Sequence, residues 1–571
     1  MYRCVWFSPL LLALVLLCAG SPRANAINDD HSHDRAETGN VAERPASVTA
    51  RKDLSALIRT GRLAEMRWPN FADQRGPIED FYKPARYELA WIDEAGRPTE
   101  QALALIAALE SADQQGLRPE DYDGPRWAAR LAYLQSTPSI SPAELARLDL
   151  ALTVSVMRYV SDLHRGRLSP AQFHFSWPRK ECNTAAIVRD QLLKAKDVNG
   201  VLDQLQPPYN GYRRTLKALN EYIALAKEGQ GELPMPAKPV WSGDIYPGVE
   251  ELAKRLKQFG DMPQDVKVPA GSNLYEDNLK SAIRHFQRRH GLNPDGSLEP
   301  NTYKQLTVPL EQRIAQLQLA LELWRWLPDH LKAPWILINV PEFRLRAFSD
   351  DQRTLSMAVV AGEAGTHETP MFVDQLESLI FRPEWHVPLT IQQKEIVPEI
   401  ESHPTYIARR HFQIFDSQGV LRTAAIDGTV LQKLQTGELQ LRQAPGPTNE
   451  LGLVKFIFPH QNGVYMHGTL DVDLFDRFRR DYSHGCIRLE DPAALSGWVL
   501  HGDPHWNANT IAGAMNGNVT MNVKPPQPIT VVTFYGTAMV DDDGEVHFSK
   551  DIYGYDAALE KALSRGRPYS E

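Results

Sequence analysis

The stretch DYSHGCIRLE, residues 481–490, places a cysteine between His-Gly and Ile-Arg. If Cys486 lies in or beside a strand, alternation puts His484 and Arg488 on its side, while Ile487 and Leu489 face a core. A thiol between two groups that can carry positive charge is favoured as thiolate, the nucleophilic form. Gly485 lets the peptide N–H groups at 485–486 approach a developing oxyanion. The pattern predicts a nucleophilic cysteine in a β-rich domain.

A second motif, YMHGTL at residues 465–470, supplies a base for this thiol. Acyl transfer needs a group that takes the thiol proton and returns it to a leaving amine. His467 lies at a predicted strand end before Gly468, where an imidazole can project from the sheet. Thr469 or Ser483 can orient the ring by hydrogen bonding. The sequence therefore predicts that His467 serves Cys486.

Each of these residues also fits a structural role when taken alone. A cysteine flanked by Gly and Ile is usually inert packing, and a lone strand histidine is usually satisfied in a core or at the surface. Arg488 can simply pair with Glu490 or Asp491. Packing explains the S-H-G-C-x-R and H-G-T motifs less easily when both occur in one chain, so the sequence favours a thiol site.

The motifs lie in a segment with strand rhythm that follows a predicted amphipathic helix at 311–327. Apolar and alternating residues over 335–347 predict a hairpin. Further strands are predicted at 356–361, 453–458, 464–467, 486–489 and 530–535. Residues 388–445 are mostly polar or helical, so we expect an insertion that folds over the site as a lid. The sequence predicts a β-rich, sandwich-like domain over 311–545.

Upstream of this domain the pattern is mainly helical. Over about 51–235 apolar residues recur at helical spacing, as in the helix that Thr99 caps, and one long apolar run leads into the basic stretch at 164–167. The Pro/Gly-rich stretch 231–248 marks a boundary, and a unit of three short helices follows over 246–308. The predicted fold class is multidomain α+β, with a helical scaffold, a three-helix unit and the β-rich domain.

The composition and the two terminal segments restrict the possible functions further. The net charge is −9 over 571 residues with no basic block, which argues against a nucleic-acid partner. Residues 1–26 have the pattern of a signal peptide, ending in Ala-Asn-Ala; an uncleaved anchor is the alternative. We expect a disordered tether over 27–50, no membrane span in the mature chain, and a C-terminal tail over 546–571.

After cleavage the mature chain would hold two cysteines, Cys182 and Cys486. Two are too few for a disulfide framework in an oxidising compartment and leave either one long-range bridge or two free thiols. Cys182 lies in a polar context without a partner motif, so we expect no chemical role for it.

On these residues the chain resembles the L,D-transpeptidases, bacterial cell-wall enzymes with a catalytic cysteine. The resemblance covers about 335–540 and rests on His467-Gly468-Thr469, Ser483-His484-Gly485-Cys486 with Arg488, Thr369-Pro370, and the run from Gly446 to Phe456. The unit at 246–308 resembles the peptidoglycan-binding domain of cell-wall enzymes, through Phe259-Gly260, Gly291-Leu292 and Asp295-Gly296 among others. Any three-helix packing unit is the alternative there.

The resemblance implies a nucleophile, Cys486, and a proton donor and acceptor, His467. Ser483, His484 and Gly485 would shape the site and its oxyanion hole, with Arg488 nearby. It implies attack on the third residue of a peptidoglycan tetrapeptide stem, release of D-Ala, and transfer to another stem as a 3→3 cross-link. It also implies no metal or organic cofactor, acylation by carbapenems, a periplasmic location, and peptidoglycan stems, glycan and other cell-wall synthases as partners.

Several other functions stay open. Water as the acceptor would give a carboxypeptidase or endopeptidase, and an envelope protein is a third acceptor. A zinc peptidase could use His501 and His505, although Pro504 interrupts a helix there and no H-E-x-x-H motif is present. The helical half and the 246–308 unit would also suit a non-catalytic wall-binding scaffold.

Overall fold

The computed structural model describes residues 45–331, 334–422, 426–459 and 463–569. The predicted signal peptide lies outside the described residues, as does the tether up to residue 44. The expectation of disorder is wrong for residues 45–50, which begin helix α1, Pro45–Thr60. Leu54 and Ile58 of this helix are completely buried in the N-terminal core, so packing supplies the free energy that orders it.

The N-terminal half is helical, as predicted. Its helices are α1, α2 (Arg75–Tyr82), α3 (Glu100–Glu110), α4 (Gly124–Ser136), α5 (Pro142–Arg165), α6 (Thr184–Ala186), α7 (Val198–Gln204) and α8 (Asn210–Glu228). Thr99 caps α3 by accepting the Ala102 N–H, as expected. The 24-residue α5 begins in a capping box between Ser141 and Glu144 and is buried over most of its length. It is the central helix of this half.

A small unit with its own apolar core follows. Its helices are α9 (Val249–Gln258), α10 (Asp277–Arg289) and α11 (Pro300–Leu306), and its core includes Leu252, Ile283 and Phe286. Two isolated bridges, Val240 with Leu298 and Ile245 with Leu274, hold the preceding segment against it. These are the three helices predicted over 246–308.

Helix α12, Leu310–Trp326, departs from the one-sided amphipathic pattern expected at 311–327. Its last eight residues, Leu319–Trp326, are all buried, because α12 packs against α8 of the scaffold and against the C-terminal domain. The charged members of this stretch have partners: Glu322 binds Arg167, and Arg325 donates to the Tyr212 hydroxyl at 2.9 Å. A helix that is buried on all sides has no single apolar face, so the one-sided pattern does not describe it.

The C-terminal domain contains an 11-stranded sheet. Its strands are β1 (Trp335–Asn339), β2 (Arg344–Ser349), β3 (Gln352–Gly362), β4 (Val373–Gln375), β5 (Ser378–Phe381), β10 (Val454–Ile457), β11 (Met466–His467), β12 (Asp481–Ser483), β13 (Ile487–Leu489), β14 (Met521–Val523) and β15 (Thr530–Phe534). Their order is β14-β5-β10-β11-β13-β3-β2-β1-β15-β4, with β12 also on β3. The helices α17 (Pro492–Val499) and α18 (Ala508–Asn516) belong to the same domain. The predicted α+β fold class is confirmed.

The segment predicted as an insertion has a core of its own. It holds the second sheet, β6-β9-β7-β8, with strands β6 (Trp385–His386), β7 (Phe412–Asp416), β8 (Leu421–Arg422) and β9 (Leu439–Gln443). The helices α13 (Leu389–Ile391), α14 (Val397–Ser402), α15 (Tyr406–Arg409) and α16 (Gly428–Thr436) join these strands. Ile400, Phe412, Leu434 and Leu441 are buried in a cluster separate from that of the large sheet. Movement of the insertion as a lid stays a prediction.

The tail expected over 546–571 is folded wherever the structure describes it. Strands β16 (Ala538–Val540) and β17 (Val546–Phe548) form a hairpin, and α19 (Tyr555–Ser564) follows. Phe548 and Leu559 are buried in the same core as α12, which explains the order. Across the described ranges, no helix combines the length and hydrophobicity needed to cross a bilayer.

Candidate active site

The two sequence motifs meet on neighbouring strands of the large sheet. β11 and β13 run parallel, with Met466 opposite Ile487 and His467 opposite Arg488. The Ile487 N–H donates to the Tyr465 carbonyl at 3.0 Å. Paired residues project to the same face of a sheet and successive residues alternate, so Cys486 lies beside Tyr465 on the face that carries His467. The pairing therefore brings the predicted nucleophile and base together.

The third strand of this region adds a lysine. Lys455 on β10 is the ladder partner of His467, and its Nζ lies 3.7 Å from the centroid of the Tyr465 ring, a cation–π contact. Burial lowers the pKa of Lys455, and the nearby Cys486 opposes that effect. Sequence reasoning gave no role to Lys455 or Tyr465. Because side chains alternate along Tyr465-Met466-His467, the sequence could have placed Tyr465 on the same face as His467. Placing Lys455 there required the pairing of β10 with β11.

The imidazole of His467 is buried and neutral. Its Nδ1 lies 2.5 Å from the Gly468 carbonyl oxygen, so Nδ1 carries the hydrogen and Nε2 the lone pair. Burial is the main reason that its pKa falls to about 3, with the Arg488 charge adding to it and the Gly468 and Leu451 carbonyls opposing it. A backbone carbonyl thus orients the ring, instead of the predicted Thr469 or Ser483 hydroxyl. The neutral ring is the form that can accept a proton.

The Cys486 thiol is half-buried and not in a disulfide. Burial raises its pKa, against the lowering effects of the Tyr465 backbone and hydroxyl, Lys455 and Arg488. The expectation of a thiolate favoured by flanking cations is therefore wrong for the resting site, because desolvation outweighs the charges. A protonated thiol beside a neutral imidazole needs that imidazole as its base.

The turn before Cys486 is fixed by two hydroxyl groups. Ser483 Oγ donates to the Cys486 carbonyl at 2.5 Å and accepts the Gly485 N–H at 3.2 Å. Thr369 Oγ1 donates to the Gly485 carbonyl at 3.0 Å. Gly485 has φ +99°, a conformation that side chains rarely adopt. Because Ser483 engages the Gly485 N–H, this amide is not available to the predicted oxyanion hole in the present conformation.

The predicted alternation of side chains does not extend to His484, because the positive φ of Gly485 interrupts the extended chain between His484 and Cys486. Its Nε2 lies 2.6 Å from Glu395 Oε1, and its ring centroid lies 4.5 Å from that of His367. Glu395 belongs to the insertion, in a helical turn over Gln392–Ile396. The cysteine motif and the insertion are therefore in direct contact through the His484 and Glu395 side chains.

Arg488 binds a carboxylate that the sequence did not suggest. Its Nη1 lies 2.6 Å from Asp471 Oδ2, in the segment after the H-G-T motif. The expected partners are occupied elsewhere: Glu490 accepts the Ala358 N–H and Asp491 caps α17. Arg488 thus links the two motifs from the strand next to His467.

The remaining candidate residues lie apart from this site. Cys182 is half-buried, and burial raises the pKa of its thiol. His505 has an 88% exposed side chain and binds Asp503 at 2.9 Å. Within the described ranges, no three His, Cys, Asp or Glu side chains cluster as metal ligands.

Three domain families match the chain. They are an L,D-transpeptidase catalytic domain over 333–506, a peptidoglycan-binding domain over 246–306 and a scaffold domain over 76–219. An L,D-transpeptidase relative from Haemophilus influenzae is 28% identical over 256 residues, which is 44% of this chain and 50% of that protein. The chain therefore spans about half the length of this curated relative.

Two solved L,D-transpeptidase structures also match. The one from Xylanimonas cellulosilytica is 16% identical, covers 53% of this chain and 100% of its own, and has a TM-score of 0.17. The one from Stackebrandtia nassauensis is 12% identical, covers 53% and 97%, and has a TM-score of 0.20. The matches identify an L,D-transpeptidase catalytic domain at 333–506 and a peptidoglycan-binding domain at 246–306, and with the curated relative they support the L,D-transpeptidase family for this chain.

Proposed function

We propose that the protein is an L,D-transpeptidase that forms 3→3 cross-links between peptidoglycan stems by cysteine acyl transfer. One observation carries the proposal: the parallel pairing of β11 with β13 puts Cys486 and His467 on one face of the sheet. A sulfur nucleophile beside a neutral imidazole is the arrangement that acyl transfer uses. The family match over 333–506 supports the same chemistry.

In the first half-reaction the Cys486 thiol gives its proton to His467 Nε2 as the sulfur attacks the carbonyl carbon of the third stem residue. The tetrahedral intermediate collapses by breaking the bond to the terminal D-Ala, whose amine nitrogen takes the proton from the imidazolium. A thioester remains on Cys486. The backbone carbonyl on Nδ1 keeps the ring in the required tautomer throughout.

The second half-reaction reverses these roles. The side-chain amine of another stem attacks the thioester carbonyl in its neutral form, and His467 removes its proton. Breaking the carbon–sulfur bond forms the new amide and returns the proton to the sulfur. We assign oxyanion stabilisation to the Cys486 N–H, because the Gly485 N–H is engaged by Ser483. Lys455 and Arg488 stabilise the sulfur while it is charged.

The other domains suit a wall enzyme outside the cytoplasm. The 246–306 match supports attachment to peptidoglycan, and substrates of this kind lie in the periplasm of a Gram-negative cell, where we place the mature protein. The scaffold helices carry both units. Partnership with other cell-wall synthases stays a prediction from the resemblance.

The test is mass analysis of products from purified tetrapeptide muropeptides. We expect the wild type to release D-Ala and form cross-linked dimers, Cys486→Ala to form none, and Cys182→Ala to match the wild type. Tripeptide products without dimers would instead support the carboxypeptidase alternative. Unchanged cross-linking by Cys486→Ala would overturn the assigned nucleophile. A wild type without any peptide turnover would favour the non-catalytic scaffold.

The same thiol is expected to react with a carbapenem, because the strained ring is an activated acyl donor. Opening the ring would form a thioester on Cys486 and move the proton to the ring nitrogen, so the adduct retains the full drug mass. Intact-protein and peptide mass spectrometry should locate it at Cys486 and find none in Cys486→Ala. An adduct at Cys182 alone would contradict the assignment.

A further inference from the structure

Two hydroxyl side chains hold the successive peptide groups of the turn that carries Cys486. Ser483 binds the outer groups, through the Gly485 N–H and the Cys486 carbonyl. The central group contains the Gly485 carbonyl and the Cys486 N–H, and Thr369 Oγ1 donates to this carbonyl at 3.0 Å. A peptide group is planar and trans, so its carbonyl and its N–H point in opposite directions. Thr369 therefore sets the direction of the Cys486 N–H, the oxyanion donor of the proposed mechanism.

Thr369 is itself fixed beside the end of β3. It is completely buried, and its Oγ1 accepts the Gly362 N–H at 2.9 Å. The chain between these two residues folds back closely, because a Cβ on Gly362 would lie 1.9 Å from the His367 carbonyl oxygen. Glycine is thus the residue that allows the return. The loop over 362–369 has to stay closed for the Thr369 hydroxyl to reach Gly485.

A tyrosine from the C-terminal segment closes this loop. Tyr553 Oη donates to the Gly362 carbonyl at 2.6 Å and accepts the Thr369 N–H at 3.2 Å, so one hydroxyl joins both ends of the loop. Burial raises the pKa of Tyr553, which keeps the proton that the first of these bonds needs. The catalytic-domain match ends at residue 506. The loop is therefore held by a residue outside the matched domain.

The position of Tyr553 is fixed in turn by Tyr535. The Tyr553 backbone N–H donates to the Tyr535 hydroxyl at 2.6 Å, and the two rings stack with their centroids 5.6 Å apart. The Tyr535 hydroxyl donates to Asp551 Oδ1 at 2.7 Å. A side chain can orient a reactive site well only when packing and hydrogen bonds fix its own position. Tyr553 meets this condition.

We propose that Tyr553 is a positioning residue for acyl transfer: through Thr369 it aims the Cys486 N–H at the developing oxyanion. The inference rests on the proposed function and adds to it a residue from outside the catalytic domain. A donor stabilises the tetrahedral intermediate best when it is aimed beforehand at the position where the charge develops. The effect of Tyr553 therefore belongs to attack on a carbonyl carbon, where an oxyanion forms. Substitution at a saturated carbon forms no oxyanion and does not need it.

The experiment compares two reactions of Cys486 in the full chain, each followed by mass spectrometry of the Cys486 peptide. 4-Nitrophenyl acetate acylates the sulfur: a carbon–sulfur bond forms, the bond to 4-nitrophenolate breaks, and the thiol proton passes to His467. Iodoacetamide alkylates the same sulfur with release of iodide. We expect Tyr553→Phe to slow acylation about tenfold, because misdirecting an oxyanion donor costs less than the roughly 10²- to 10³-fold effect of removing one. Alkylation should stay at the wild-type rate.

Tyr133→Phe is the matched control. It removes an exposed hydroxyl that donates to Glu144 of the scaffold at 2.9 Å, so it should change neither reaction. Thr369→Val should slow acylation at least as much as Tyr553→Phe, and the double variant should be no slower than Thr369→Val, because both residues act on one peptide group. Acylation at the wild-type rate in Tyr553→Phe would overturn the proposal. So would an equal slowing of acylation and alkylation, which would indicate a general loss of the site.

Muropeptide kinetics separate this inference from the proposed function. Tyr553→Phe should lower kcat for D-Ala release about tenfold with KM close to the wild-type value, because the aimed donor acts in the transition state. A raised KM at unchanged kcat would overturn the role of Tyr553. A wild type without muropeptide turnover would refute the proposed function, and the two reactions of Cys486 would still decide whether Tyr553 positions its N–H.

Discussion

At the scale of single residues, the protonation of Cys486 reflects two opposed effects. Burial holds the proton on the sulfur, while Lys455 and Arg488 favour its loss. Lys455 is the more informative of the two cations, because its Nζ is fixed over the Tyr465 ring and burial makes its charge weakly screened. The thiol is therefore protonated at rest, and the two cations reduce the free-energy cost of ionising it.

Lys455→Met should raise the thiol pKa and slow alkylation of Cys486 by iodoacetamide several-fold at neutral pH. The pH dependence of alkylation, followed by mass spectrometry, measures this directly and needs no substrate. Lys433→Met, on α16 with a side chain that is 42% exposed, is the matched control. An alkylation profile that Lys455→Met leaves in place would show that the lysine does not act on the sulfur.

His467→Gln should lower cross-linking by roughly 10²- to 10⁴-fold, the usual contribution of a general base. His505→Gln, at an exposed histidine outside the site, should match the wild type. Rates from tetrapeptide muropeptides check both. Near-normal turnover by His467→Gln would require another base in the site.

The buried imidazole also predicts a pH dependence of stability. The pKa of His467 is about 3 in the folded chain and about 6.5 when unfolded, so the unfolded state binds more protons between these values. Its contribution is therefore unfavourable as the pH falls below about 6.5, reaching the order of 1–3 kcal/mol by pH 4. Urea unfolding at pH 7 and pH 4 should show a smaller loss for His467→Gln than for the wild type. Equal losses would contradict this, since every other titratable group is common to the two proteins.

At the scale of elements, the strands were predictable where apolar runs were unbroken. Expected positions such as 335–340 and 530–535 match β1 and β15 within a residue. The pairing order was not predictable, because ladders such as β10 with β11 and β11 with β13 depend on contacts between distant segments. Cys486 and His467 could thus be named from sequence, whereas Lys455, the Gly468 carbonyl and Glu395 required the folded sheet.

The insertion contacts the cysteine motif through the exposed side chains of Glu395 and His484, so Glu395→Gln should loosen the insertion with little loss of global stability. We expect faster hydrogen exchange over 389–402 and a larger share of hydrolysed over cross-linked product, because a looser cover admits water. Glu399→Gln removes the carboxylate that lies 3.3 Å from His403, within the insertion, and should change neither. Identical exchange in both variants would argue against Glu395 as the contact that holds the insertion.

At the scale of the whole molecule, α12 joins the helical half to the sheet. Glu322 on this helix is completely buried and accepts the backbone N–H groups of Arg167 and Leu168 besides the Arg167 guanidinium. This contact was not predictable from sequence patterns, because it joins residues 155 positions apart. The order of the C-terminal segment was missed for the same reason.

Glu322→Gln should cost about 3–5 kcal/mol of unfolding free energy, because it leaves the Arg167 charge buried without its carboxylate. Glu311→Gln, exposed in the first turn of the same helix, should be neutral within roughly 0.5 kcal/mol. Urea denaturation compares them. A small loss for Glu322→Gln would mean that the interface relaxes around the charge.

The closing strands of the insertion have an engineering consequence. Trp385 on β6 is the ladder partner of Gln443 on β9, and the Val387 N–H donates to the Leu441 carbonyl at 3.0 Å. The chain thus enters and leaves the insertion through the paired strands β6 and β9. Joining β6 directly to β9 by a two-residue turn would remove the insertion without breaking any strand pairing of the 11-stranded sheet. A different domain could then be inserted between the same two strands.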